Sequence, residues 1–200
     1  MNKLTKCGLL MSACLLIASC DRQSMDNKIS EGAASSNQKA QQTPAAEADF
    51  IEGMALVQKN ASAAELNKGV QLLLKAARAG NTEAKVELAT LYKEGKGVKV
   101  NPGQGINMLL DAAKDGNARA AYELGLRYET GTDVPQNAGE AVNRYFTSAK
   151  GGNADAMYKL GLAFESGTGV KANSAEAKSW FQKASAAGNE EATKKLNEQK

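Results

Sequence analysis

Apolar and polar residues follow a helical spacing along most of the chain, and the whole pattern returns every 36 residues. The stretch Asn117–Tyr128 returns as Asn153–Phe164, with alanine, leucine and glycine kept at matching positions. Glycines close successive units at Gly80, Gly116 and Gly152. A fixed period of roughly 20–50 residues is typical of proteins built from stacked repeats.

Each unit has the pattern of two helices joined by a turn. In Asn117–Thr130, the apolar residues, Leu124 among them, concentrate on one helical face. Gly131 and Pro135 end this helix, and Asn137 stands where the next helix needs an N-cap. Because one such hairpin cannot bury its apolar face alone, neighbouring units must stack. The sequence therefore predicts an all-α fold, an α-solenoid of helix–turn–helix units.

The repeated motif resembles the Sel1-like repeat, a relative of the tetratricopeptide repeat. The residues that carry the resemblance in one unit are Ala120, Tyr122, Leu124, Gly125, Tyr128, Gly131, Val134, Ala141, Ala149 and Gly152. The next unit adds the paired glycines Gly167 and Gly169 and the aromatic pair Trp180–Phe181, whereas Met108 and Arg144 replace that tryptophan in the earlier units. The resemblance implies a non-enzymatic scaffold whose first helices line a protein-binding surface.

Seven segments are predicted from the period and from changes in composition. They are a signal peptide (1–19), a lipidated cysteine with a flexible tether (20–46), a degenerate N-terminal repeat (47–80), three repeats (81–116, 117–152 and 153–188) and a C-terminal capping helix (189–200). The tether is rich in small polar residues and cannot bury enough apolar surface to fold.

The N-terminus has the features of a bacterial export signal. Lys3 and Lys6 precede the apolar stretch Gly8–Ala18, which is too short to span a bilayer. It ends in Ile17-Ala18-Ser19-Cys20, which resembles a lipoprotein processing site and implies that Cys20 is lipidated. The resemblance places the protein in the cell envelope, facing the periplasm, and Asp21 favours the inner over the outer membrane. The alternatives are an uncleaved anchor or an ordinary signal peptide that is cut elsewhere.

Composition narrows the chemistry that the chain can perform. The sequence contains no histidine, and its three cysteines all lie at or before Cys20. No residue set predicts a catalytic centre, a cofactor site or a metal site. The formal net charge of +3 belongs to the whole chain and gives no argument for a nucleic-acid partner.

The candidate binding groove lies on the first helices of the repeats. Its predicted residues are Tyr122, Glu123, Arg127, Tyr158 and Lys159. The charge at these positions changes sign from unit to unit, as expected of a surface that recognises a specific partner. Neutral sequence variation on a solvent-exposed helix face explains the changes equally well. The alternative for the two tyrosines, and the more usual role at this position, is packing between repeats.

Three functions follow from these features. The first is a monomeric scaffold that binds another envelope protein and is held to the membrane by its lipid anchor. The second is an immunity protein that neutralises a periplasmic toxin. The third is an enzyme that binds or hydrolyses β-lactams, as the resemblance to cysteine-rich members of the family suggests, but the repeats of this chain lack the paired cysteines.

Overall fold

The computed structural model describes residues 43–58 and 61–198, and within these ranges the chain forms nine α-helices and no β-strand. The helices are α1 (Pro44–Gln58), α2 (Ala63–Arg78), α3 (Thr82–Glu94), α4 (Pro102–Lys114), α5 (Ala118–Thr130), α6 (Ala138–Lys150), α7 (Ala154–Ser166), α8 (Ser174–Ala186) and α9 (Glu190–Glu198). The predictions for the signal peptide, for Cys20 and for most of the tether lie outside the described residues.

Asparagine and glycine set the helix boundaries, and the predicted N-cap Asn137 accepts a hydrogen bond from the backbone N–H of Glu140 at 3.0 Å. The Asn117 side chain accepts a hydrogen bond from the backbone N–H of Ala120 at 2.8 Å and so starts α5. The helix ends at Gly131, whose φ of 74° lies in the left-handed region and whose N–H donates to the Arg127 carbonyl at 2.8 Å. The same arrangement starts and ends α3 and α7.

Helix α1 begins earlier than the sequence predicted, inside the segment assigned to the tether. The Ala46 N–H donates to the Thr43 hydroxyl at 3.3 Å, and Pro44 occupies the first helical turn, where its missing N–H costs nothing. The composition of residues 20–46 concealed this start, because threonine followed by proline is also typical of a linker.

Small residues let the two helices of each hairpin approach closely. A Cβ added at Gly125 in α5 would lie 2.4 Å from the Tyr145 ring of α6, and one added at Gly161 in α7 would lie 2.4 Å from Phe181 of α8. Both distances are too short for real atoms. Only glycine therefore allows a large ring to lie against the first helix of these two repeats.

The core runs between successive hairpins. Each helix packs on the next along the chain, and the fully buried leucines Leu88, Leu124 and Leu160 recur at one position of successive repeats. These contacts confirm the predicted α-solenoid. None of the described helices is both long and apolar enough to span a membrane.

Candidate functional site

Side chains link the first helices of consecutive units into a row. We call α1, α3, α5, α7 and α9 the first-helix row, and α2, α4, α6 and α8 the second-helix row. The two rows carry different charges. The first-helix row contains 13 acidic and 7 basic residues, whereas the second-helix row contains 4 acidic and 8 basic residues. The first-helix row is therefore the acidic side of the described chain.

Asparagine side chains join neighbouring first helices. The amide of Asn117 donates to Glu83 of the preceding repeat at 2.6 Å, while its oxygen caps its own helix. The amides of Asn81 and Asn189 make the same contact with Glu47 (3.1 Å) and Asp155 (2.8 Å). A single buried residue thus both starts a helix and ties it to its neighbour.

Arg119 interrupts this series. It stands where the other units place the carboxylate, so the amide of Asn153 finds no acceptor among the described residues. Arg119 turns instead to Glu87 at 2.7 Å and to Glu83 at 3.3 Å. Partial burial lowers the pKa of Arg119, but the hydrogen bond and charge of Glu87 and the charge of Glu83 outweigh it, so the pKa is raised.

A three-residue cluster joins α5, α6 and α7. The Tyr145 hydroxyl donates to Glu129 at 2.5 Å, and Lys159 donates to the same carboxylate at 2.9 Å. Burial, the hydrogen bond to Glu129 and the charge of Glu129 raise the pKa of Tyr145. Lys195 and Glu165 form the equivalent ion pair one repeat later, at 2.9 Å. The sequence predicted that Lys159 binds another protein through its charge. In the structure that charge is already paired with Glu129.

Arg127 is not an exposed groove residue, contrary to its predicted place on the binding surface. Its side chain is buried, with 8% of the residue exposed, and it forms an ion pair with Asp133 in the loop after α5. Asp133 has a φ of 63°, and glycine holds the same loop position in the flanking repeats. The sequence pattern placed Arg127 on a polar helix face, but the loop folds over that face and supplies the carboxylate.

The other predicted groove residues lie half-buried on the first-helix row. Tyr122 packs 5.9 Å from the Tyr145 ring, and Tyr158 packs 5.7 Å from the Phe181 ring, measured between ring centroids. Both tyrosines thus pack within the stack and also reach its surface. Partial burial, and then the charges of the carboxylates around it, raise the pKa of Tyr122. Those carboxylates are Asp155, Glu123, Glu129 and Glu191. The hydroxyl of Tyr122 therefore faces a negative field.

Trp180 and Phe146 pack together on the second helices, with ring centroids 5.6 Å apart and an edge-to-face angle of 77°. The Lys183 ammonium lies 4.1 Å from the centre of the Trp180 ring. Trp180 is thus a packing residue between α6 and α8, with a cation beside its ring.

A cleft of about 110 Å³ opens between α6 and α7 beside the three-residue cluster. Its walls are formed by residues of both helices, the end of α5 and the loop after α7. They are Glu129, Ala138, Ala141, Val142, Tyr145, Lys159, Leu162, Ala163, Ser166 and Thr168. The sequence did not predict this cleft or the role of Glu129. The recurrence of Glu129–Lys159 as Glu165–Lys195 at the repeat period was a signal that could have revealed the ion pair.

No group of three or more potential metal ligands occurs within residues 43–58 and 61–198. The glycine-rich turns at Gly95–Gly97 and Gly167–Gly169 serve as helix ends, because these glycines take positive φ values between 70° and 78°. The described surface thus presents charges, tyrosines and one small cleft.

The helix order, the caps and the 36-residue period agree with a match to a known repeat family. The sequence model of the Sel1 repeat matches residues 62–81, 82–117, 118–153 and 154–189. The chain belongs to the Sel1 repeat family. This match confirms the predicted resemblance and extends it into the first, degenerate unit.

Three solved structures resemble this Sel1 repeat chain. A Sel1 repeat protein from Oxalobacter formigenes is 36% identical, covers 63% of this chain and 95% of its own, and has a TM-score of 0.61. A protective antigen of uropathogenic Escherichia coli is 26% identical over 85% of this chain and 35% of its own, with a TM-score of 0.69. Cysteine rich protein B of Helicobacter pylori, at 24% identity, covers 67% of this chain and 96% of its own with a TM-score of 0.55, and shows the fold alone. A comparison with curated protein sequences gives no match.

Proposed function

We propose that this Sel1 repeat protein is a non-enzymatic scaffold that binds another envelope protein along its first-helix row. Sel1 repeats generally mediate protein–protein interaction, and the repeats of this chain carry no cysteine or histidine for nucleophilic or metal chemistry. The observation that carries the proposal is the charge difference between the two rows. A surface with 13 acidic and 7 basic residues favours a basic partner segment.

Glu123 is the best residue for testing this surface. It lies half-buried on α5 and has no hydrogen-bond or ion-pair partner among the described residues, so changing it breaks no contact of the scaffold. Lys159 and Arg127 are poorer choices, because their replacement would disrupt the pairs with Glu129 and Asp133.

The test compares Glu123→Lys with Glu176→Lys, an exposed position on α8 in the second-helix row. The parent protein is used to capture a partner from its own envelope, and the partner is then purified. Both variants change the net charge equally, and circular dichroism must show equal helicity. We expect Glu123→Lys to weaken binding about tenfold in low salt, chiefly by slowing association, while Glu176→Lys binds like the parent. Equal binding by all three proteins would reject the first-helix row as the binding surface.

The membrane attachment is a separate part of the proposal. The sequence Ile17-Ala18-Ser19-Cys20 supports cleavage before Cys20 and its lipidation, with the repeats held on the periplasmic side. Mass spectrometry of the N-terminal peptide should show a diacylglyceryl-modified Cys20, and Cys20→Ala should accumulate as an unprocessed precursor. An unmodified Cys20, or a mature N-terminus elsewhere, would contradict it. The membrane assignment from Asp21 and the monomeric state stay predictions.

The immunity-protein hypothesis also stays a prediction. It differs from the scaffold hypothesis in the nature of the partner, which would be a toxin. Purification of the captured partner therefore distinguishes the two, because a toxin would lose its activity when the chain binds it.

A further inference from the structure

Every polar side chain in the wall of the cleft between α6 and α7 has a hydrogen-bond partner, and the other side chains of the wall are apolar. Glu129 accepts hydrogen bonds from Tyr145 at 2.5 Å and Lys159 at 2.9 Å. The Ser166 hydroxyl pairs with Thr168 at 2.8 Å and with the Leu162 carbonyl at 2.9 Å. These polar side chains are already paired with one another, whereas the alanine, valine and leucine side chains of the wall offer contact to an apolar group. The chemistry of the cleft therefore favours an aliphatic occupant.

The preceding repeats show what size of group fits this position. The degenerate first unit has Ala55 at this position of the repeat, and in the three full repeats Ala163 follows Leu91 and Arg127. Both earlier side chains are buried, with 5% and 8% of each residue exposed. The stack thus accommodates a large side chain at this position twice, and at Ala163 it carries only a methyl group. The volume of about 110 Å³ is well above the roughly 15 Å³ that a single water needs.

We propose that the cleft over Ala163 receives one aliphatic side chain, of about the size of leucine, from a protein partner that lies along the first-helix row. The proposal rests on the function proposed above and adds the apolar anchor that the acidic surface alone does not provide. Lys159 and Glu129 neutralise each other at the edge of the cleft, so an uncharged side chain meets no net charge there. The partner segment therefore combines a leucine-like anchor with basic flanking residues.

The test uses small neutral probes and requires no knowledge of the partner. N-acetyl-leucine-N-methylamide is titrated into the full chain while methyl NMR signals of Val142, Leu162 and Ala163 are followed. N-acetyl-asparagine-N-methylamide, which has nearly the same shape, is the polar control. We expect saturable shifts confined to the cleft and an affinity about tenfold or more higher for the leucine probe.

Ala163→Leu should fill the cleft with the same side chain that Leu91 has at the equivalent position. The NMR shifts caused by the leucine probe should then disappear. Ala55→Leu, at an exposed position of α1, is the matched control and should respond like the parent. If Ala163→Leu fails to fold, Ala163→Val provides a smaller filling and should weaken the response by severalfold.

Several results would overturn the proposal. They are an equal response to both probes, a response that persists unchanged in a folded Ala163→Leu or Ala163→Val, and no response at all. Shifts that depend on protein concentration without any probe would assign the cleft to a second copy of the chain instead. Because the titration omits the partner, its failure leaves the test at Glu123 unaffected. Conversely, the cleft could bind the leucine probe while partner binding is unchanged by Glu123→Lys. That result would reject only the charged surface.

Discussion

The repeats at 117–152 and 153–188 fold alike, but they fill the space beneath their loops differently. Helices α5 and α7 both have 13 residues and both end in a left-handed glycine. Under the first loop, the buried Arg127 side chain pairs with Asp133 of the loop itself; in the second repeat, Ala163 and Gly169 hold the same two positions. Two different chemical solutions thus support the same backbone.

From this difference we expect the two positions to depend on each other. The loop needs a positive φ, which is 63° at Asp133 and 73° at Gly169. In the second repeat a Cβ would lie 2.3 Å from the Ala138 carbonyl oxygen, so glycine is required. In the first repeat the aspartate is held in this unusual conformation by Arg127. Replacing a long arginine by alanine without a compensating bulky residue leaves the cleft described above.

Removing the equivalent buried leucine should destabilise the two repeats by similar amounts. Leu124→Ala and Leu160→Ala each remove a fully buried side chain, and each should lower the free energy of unfolding by about 2–5 kcal/mol. Thermal or urea unfolding measures the loss, and Ala55→Leu on the surface of α1 serves as the control. A Leu124→Ala protein that unfolds like the parent would break the comparison, because the two leucines would then not be equivalent.

The ion pair between Arg127 and Asp133 should contribute to stability only in the repeat at 117–152, because the repeat at 153–188 has no such pair. Arg127→Ala removes the buried guanidinium that Asp133 pairs with, and we expect a loss of about 1.5–3 kcal/mol, since a hydrogen bond between charged groups is lost. Arg127→Ala combined with Asp133→Gly copies the arrangement of the next repeat and should recover most of this loss. Urea unfolding of both single variants and the double variant completes the cycle. A double variant with the summed losses of the two singles would show that the positions are independent.

The smallest expected effect concerns Tyr145, whose equivalent in the next repeat is Phe181. Tyr145→Phe keeps the ring but removes the hydrogen bond to Glu129, so we expect a loss of about 1–2 kcal/mol at neutral pH. Phe181 shows that the fold accepts phenylalanine at this position. Phe181→Tyr is the reciprocal change. A gain in stability equal to the loss in Tyr145→Phe would mean that Glu165 accepts a hydrogen bond from the new hydroxyl as Glu129 does from Tyr145.

This tyrosine should also give stability a pH dependence that the variant lacks. Its pKa in the folded protein lies above the value of about 10 expected for the unfolded chain. The folded state therefore holds the proton more tightly, and this contribution is fully present below pH 10 and declines as the pH rises further. The difference in unfolding free energy between the parent and Tyr145→Phe isolates the effect. A constant difference above pH 10 would contradict the assigned cause.

The sequence predicted the parts of the fold that depend on position within the repeat. Leu124 and the caps Asn137 and Gly131 follow from helical spacing and local backbone needs, and the structure confirms them. It could not predict contacts that depend on how a loop or a neighbouring repeat folds back. Arg127 looked like a surface residue because its partner is in a loop, and Lys159 looked free because its partner is 30 positions earlier. The binding role of Tyr122 and Glu123 remains a prediction.

The double use of the capping asparagines links helix initiation to assembly. Because Asn117 starts α5 and holds Glu83 with one side chain, the contact with the neighbouring repeat also orients the side chain that caps the helix. One residue thus couples nearest neighbours, and we expect this coupling to make folding cooperative along the array. Asn153 starts α7 but has no such acceptor within the described residues. Cooperativity should therefore be weakest at that junction, and amide hydrogen exchange should divide the array into two blocks there.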